Sequence, residues 1–184
     1  MDENMELQNH LLVAMPSLRD PNFAGTVVYI TGHDEKGSRG FVINRQTELM
    51  LSDVIAKGSP RLPDRVFIGG PVDPQRGFLL HEKAGEYAAS REISPTLCVT
   101  LSADVLSRMC RGEGPKRRLF LLGLAGWLPG QLEAEIAIGS WITVPATEEI
   151  LFDVPPEERY DYALSQIGIS REQLEASEEQ AGHA

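Results

Sequence analysis

The sequence predicts an α+β fold: a single compact domain with a mixed sheet or small barrel and helices packed around it. Three observations carry this expectation. Thr26–His33 and Arg39–Asn44 are β-rich runs joined by a short polar, Gly-containing loop, which reads as a hairpin. Leu119–Leu124 is apolar on both faces, as a fully buried strand would be. Strands and helices are interspersed, yet their spacings are too short for a regular βαβ series.

The elements follow in order. Leu11–Met15 is an apolar run ending at Pro16, a strand, and the irregular segment SLRDPNFAG separates it from the hairpin. Leu51–Lys57 is a short helix that Ser52 can cap and Gly58 can end. Val66–Ile68 and Phe78–His81 are strands bracketing the turn-rich GGPVDPQRG. Leu97–Leu101 is another strand. Ser102 offers an N-cap to a helix over Ala103–Arg111, which Gly112 closes. Gln131–Ile138 has helical spacing, and Trp141–Val144 is a strand stopped by Pro145. Pro156 suits the first turn of a helix running to about Ile167 and ending at Gly168. Ser170 and Gln173 form a capping-box pair for a last, weak helix, and SEEQAGHA is expected to fray. The domain is therefore expected over residues 1–168, with an acidic C-terminal tail over 169–184 that is weakly helical or frayed.

At 184 residues the chain fits one self-sufficient core. Its net charge of −10 is unevenly placed. Residues 148–184 carry −8 and the first six residues −3, so the body is close to neutral at +1. The average of −10 argues against an extended nucleic-acid surface, but it describes the ends better than the body and does not by itself exclude nucleic acid near residues 108–118. Two cysteines, Cys98 and Cys110, exclude a disulfide scaffold. The opening MDENMELQNH is unlike a secretory signal, and the longest apolar run, Leu119–Leu128, is too short to span a bilayer. A soluble cytoplasmic protein with free thiols is expected.

The usual catalytic signatures are missing. There is no GxSxG, no GxxxxGK, no GxGxxG and no CxxC, and Gly85 stands where a second zinc-binding histidine would follow His81-Glu82. None of the histidines, His10, His33, His81 and His183, lies three or four residues from another histidine or a cysteine, so no metal and no cofactor is expected. His10 and His81 read as strand-end residues with one ring nitrogen satisfied by backbone, and His183 as part of a mobile tail.

Arg108, Arg111, Lys116, Arg117 and Arg118 form the one basic cluster, and Arg111, Lys116, Arg117 and Arg118 are the candidate phosphate contacts. No aromatic residue interleaves them, so base stacking has no support there. The run from Gly123 to Glu133 combines glycines with Trp127, Gln131 and Glu133, which reads either as a tight strand–loop–helix corner or as a pocket.

Long stretches of the chain resemble one family. NHLLVAMPSLRDPNF, HDEKGSRGFVINR, IGGPVDPQRGFLLH, GEGPKRRLFLLGLAGWLPGQLEAEI, SWITVPA and LFDVPPEERYDYAL are similar to motifs of the bacterial YqgE/AlgH family, in order from about Asn9 to Ile167. The resemblance implies a bifurcated, barrel-like sheet surrounded by helices. It implies no settled activity, although family members are often labelled transcriptional regulators on genetic association. The matching positions are Asn9, His10, Pro16, Asn44, Gly69, Gly70, Pro71, Gly77, His81, Gly126, Trp127, Gly130, Gln131, Glu133 and Trp141.

Three functions follow as expectations. The first is a regulator acting through a protein or small-molecule partner, because no helix-turn-helix is recognisable for direct DNA readout. The second is an enzyme with an acid–base site drawn from Asn44, His81, Gln131 and Glu133, which requires these side chains to share one cleft. The third is a ligand-binding module without catalysis. Asn44, His81, Trp127, Gln131 and Glu133 make up the candidate ligand or partner surface.

Overall fold

A computed structural model describes residues 6–55 and 62–181. Alternation along the first two strands sets its layering. In β1 (His10–Ala14) and β2 (Val27–Asp34), Leu11, Val13, Val27 and Tyr29 join one apolar cluster. Their neighbours Leu12, Ala14, Val28 and Ile30 join a second. A strand turns successive side chains to opposite faces, so runs apolar at every position lie between two cores.

The strands that follow are β3 (Gly37–Val42), β4 (Gln46–Met50), β5 (Arg65–Ile68), β6 (Val72–Glu82) and β7 (Ser90–Ser94). Then come β8 (Leu97–Thr100), β9 (Arg118–Trp127) and β10 (Trp141–Pro145). Eight of the ten form one curled, open half-barrel in the order β10-β1-β2-β3-β9-β6-β8-β7, and β4 joins it through β5, which pairs with β9. Every pairing is antiparallel except that of β5 with β9.

The sheet forks at β9. Residues Phe120–Leu122 pair with β5 on one side, and Leu119–Leu122 with β6 on the other, while Ala125–Trp127 pair with β3. Two backbones cross closely at the fork. A Cβ on Gly123 (φ +77°) would stand 2.4 Å from the Gly70 carbonyl oxygen, and one on Gly70 would meet the Leu124 carbonyl. Only glycine fits both the space and the left-handed conformation at Gly123.

Helices cover both faces. The cluster containing Leu11 and Tyr29 is capped by α4 (Arg159–Ser165), α5 (Arg171–Ala181) and a wide helical turn over Glu149–Asp153, through Ala163, Leu164, Leu174, Ile150 and Leu151. The opposite face is divided. α3 (Gln131–Ala137) closes one part with Leu132 against Trp127 and Trp141. α1 (Leu51–Val54) and α2 (Ala103–Cys110) close the other, packing Leu51, Val105 and Met109 on Leu79 and Phe120.

One buried charge fastens this assembly. Arg159 is 3 % exposed, donates from Nε to the Val154 carbonyl at 2.9 Å and from Nη1 to the Ile43 carbonyl at 2.5 Å, and lies over the Phe67 ring. Tyr160 adds a hydrogen bond from its hydroxyl to the Ala14 carbonyl at 2.5 Å. Both residues tie the C-terminal helices to the sheet.

The structure corrects several local expectations. The short helix starts after Met50, whose N–H donates to Asp53 Oδ2 at 3.0 Å, so Asp53 and not Ser52 caps it. Lys57 and Gly58 lie outside the described residues, as does His183. Ser102 is the N-cap residue of α2, but its hydroxyl bonds Asp104 and the Ala88 carbonyl rather than helix N–H groups. The chain after Ser177 does not fray at once: α5 continues to Ala181, and Glu178 accepts hydrogen bonds from the Ser17 N–H and hydroxyl. The strands β4 and β7 and the wide turn at Glu149 were not anticipated. The GGPVDPQRG stretch, read as turns, is largely the bulged beginning of β6.

Candidate functional site

The glycine-rich corner builds a closed aromatic box. β9 ends at Trp127, and Gly130 (φ +78°) turns the chain into α3. Glu135, four residues into the helix, accepts from Trp127 Nε1 at 3.0 Å and Trp141 Nε1 at 2.9 Å through the same oxygen. Its other oxygen accepts from Gln131 Nε2 at 2.9 Å, while Gln131 Oε1 accepts from the Leu128 N–H. The Phe23 ring lies 5.9 and 5.7 Å from the two indoles. Both tryptophans are buried, so the indoles face a partner already present and the box has no open mouth. Glu133 instead faces His33 Nε2 at 3.3 Å, and His33 Nδ1 meets Ser38 Oγ at 2.6 Å.

Asn44 and His81 stand elsewhere. The Asn44 side chain sews two strand ends together, accepting from the Val27 N–H at 2.9 Å and donating to the Gly25 carbonyl at 3.0 Å. His81 is 1 % exposed. Its Nδ1 donates to the Glu82 carbonyl at 2.7 Å, which leaves Nε2 to accept from Thr100 Oγ1 at 2.7 Å. Burial pulls its pKa below the ordinary histidine value, against a smaller opposing pull from Glu82, and the neutral ring suits these partners. His81 pairs with Arg118 at the start of β9, whereas Trp127 ends that strand. At ~3.3 Å per residue the two are on the order of 30 Å apart along the strand. Asn44, His81, Gln131 and Glu133 therefore share no cleft, and His81 reaches no surface.

The basic cluster is mostly paired internally. Arg118 grips Asp64 with two 2.8 Å hydrogen bonds. Arg117 bridges Glu148 at 3.1 Å and Asp153 at 2.5 Å. Arg111 lies 3.6 Å from Glu113, and Lys116 is exposed. Among the described residues, no group of three or more His, Cys, Asp and Glu side chains converges as a metal site would, and no helix is long and apolar enough to cross a membrane.

One concave surface was not legible in the sequence. It is a cleft of about 430 Å³ between α1 and α2, floored by β6 and β9. Val54, Leu79, Leu101, Leu106, Phe120 and Leu122 supply its apolar lining, and Gln75, Thr100 and Ser102 supply polar groups. Gly77 makes room for its floor, since a Cβ there would come within 2.7 Å of the Phe120 ring. Val54 and Leu101, both on its lining, remain 40 % and 38 % exposed. A clue was present in Gly77, but the lining comes from separate elements with no common spacing.

Known proteins share this architecture. A family model described as AlgH-like matches residues 11–172. A UPF0301 protein of Hahella chejuensis is 45% identical over 97% of this chain and 96% of its own. One from Burkholderia vietnamiensis is 45% identical over 99% of this chain and 97% of its own. The solution structure of the AlgH protein from Pseudomonas aeruginosa superposes with a TM-score of 0.78 at 41% identity, covering 96% of this chain and 97% of that one. A crystal structure from Corynebacterium diphtheriae, at 23% identity and a TM-score of 0.72, shares the fold over 90% of both chains. With near-complete coverage at such identity, the chain belongs to the AlgH-like, UPF0301 family.

Proposed function

We propose that the protein is a regulator of gene expression that works in the cytoplasm by binding, in the cleft between α1 and α2, an apolar small molecule. The observation that carries this reading is the cleft itself: concave, apolar on its walls, and furnished with a few polar groups at Gln75, Thr100 and Ser102. The pairing of Arg117 and Arg118 with carboxylates supports an indirect action, because few free cations remain there for phosphates. The two free thiols suit a reducing compartment.

A thermal-shift screen of apolar and amphipathic metabolites tests the reading. A ligand at 100 times its dissociation constant adds ~2.7 kcal/mol of stability. Val54→Trp, at a half-exposed position on the cleft wall, should remove the shift while leaving the unliganded melting temperature nearly unchanged. A broad library without any shift, or shifts indifferent to Val54→Trp, would sink it. A salt-sensitive DNA gel shift abolished by Arg111→Glu with Lys116→Glu would favour direct DNA binding instead.

A further inference from the structure

Arg159 is more than a clamp. Its guanidinium is buried, yet it bonds only backbone carbonyls, those of Val154 and Ile43. Among the described residues Nη2 has no hydrogen-bond partner and no carboxylate forms an ion pair with this side chain. Carbonyls satisfy N–H groups but do not neutralise a full charge, so an isolated buried cation is costly. Burial pulls its pKa down to about 10, and Glu157, the carboxylate that partly offsets this, is exposed.

The same side chain lines a second cleft, of about 340 Å³, between the β4–β5 edge and the Phe152–Pro156 turn. Five charged residues line it: Asp64, Arg65, Arg118, Asp153 and Arg159. Asp64 and Arg118 neutralise each other, and Asp153 shares Arg117 with Glu148. Among the described residues Arg65 meets Glu48, 3.3 Å away on a fully exposed side chain, which binds it weakly. Among the described residues Arg159 is thus the one lining arginine with no carboxylate in contact, and Gln46 shares the cleft lining with it. Guanidinium groups recognise planar or tetrahedral oxyanions through several donors at once.

We propose that this cleft binds the oxyanion group, phosphate or carboxylate, of a small metabolite, with Arg159 as the buried counter-charge. Only Phe120 is common to this cleft and the apolar one, so either site can exist without the other.

Titrating the ¹⁵N-labelled protein with inorganic phosphate, and separately with acetate, at constant ionic strength tests the proposal. The Arg159 Nε–Hε signal and the amides of Gln46, Phe67 and Val154 are followed. Saturable one-to-one shifts with at least one anion are expected, and the arm that saturates names the preferred chemistry. Gln46→Glu adds a like charge beside the bound anion and should weaken binding about tenfold without changing the melting temperature. Arg159→Gln should abolish binding; because it also cuts two fastenings of the fold, Gln46→Glu decides the matter if that variant unfolds. Linear, non-saturating shifts with both anions, or unchanged affinity in Gln46→Glu, would overturn the proposal and leave Arg159 a structural clamp.

Discussion

Two tryptophans sharing one carboxylate oxygen make Glu135 the most exacting side chain in the corner. Truncating it leaves two buried indole N–H groups without an acceptor, each worth about 1–3 kcal/mol. Glu135→Ala should therefore lower stability by about 2–4 kcal/mol in urea unfolding, with a red-shifted tryptophan emission. A loss under about 0.5 kcal/mol would show that the box does not depend on it. His81 predicts a pH response. Its folded pKa lies below the unfolded value, so both states are neutral well above pH ~6.5 and its contribution is complete there. As pH falls through ~6.5 the unfolded chain takes up a proton that the buried ring resists, and stability declines. Melting temperatures between pH 7.5 and 5.5 should fall more steeply for the wild type than for His81→Gln. Trp127, Gln131 and Glu133 could be singled out from sequence because unusual residues crowd one glycine-rich run. Glu135 could not, since a glutamate on a helix looks like any solvated residue until Trp141 is folded back beside it.

Among the elements, α5 shows how a weak sequence signal becomes a docked helix. The Ser170 and Gln173 side chains each accept from the other's backbone N–H, and Leu174 enters the main core. Ser170→Ala should cost about 1 kcal/mol. Hydrogen exchange should report it as faster exchange in α5 alone, and protection unchanged in α5 would remove the cap from the account. The hairpin and the β9 run were legible because they are apolar and bounded by turn residues. β4 and β7 were not, for a physical reason: they are mostly exposed edge segments, QTELM and SREIS, held by backbone hydrogen bonds. A strand that buries little has no apolar period to read. Ser52 fits an N-cap in isolation, whereas the chain begins the helix after Met50 and places Asp53 to serve its N–H.

At the scale of the whole molecule, the fork at β9 is where a one-atom addition should be least tolerated. Gly123→Ala combines left-handed strain with a 2.4 Å approach to the Gly70 carbonyl, and should cost about 3 kcal/mol or more. Gly112→Ala is the matched control, with φ +76° but open space around the new methyl group, and should cost about 1–2 kcal/mol. Equal urea midpoints for the two variants would deny the crossing its tight fit. The α+β class was readable from patterning, and the forked sheet came from resemblance. The two clefts were not readable beyond the hint at Gly77, because each is assembled from residues scattered across the chain, from Val54 to Leu122 in one and from Gln46 to Arg159 in the other.

The fork also governs how the chain is made. β3 is complete at Val42, but its far partner β9 ends at Trp127, and β1 waits for β10 at residues 141–145. At ~5–20 residues per second, a ribosome needs roughly 4–17 s to bridge the interval between β3 and the end of β9. Throughout that time the first hairpin carries an unpaired edge and two apolar faces without covers. The nascent chain is therefore an obvious client for holding chaperones, and slowed translation upstream of Arg118 should trap more of it in aggregates.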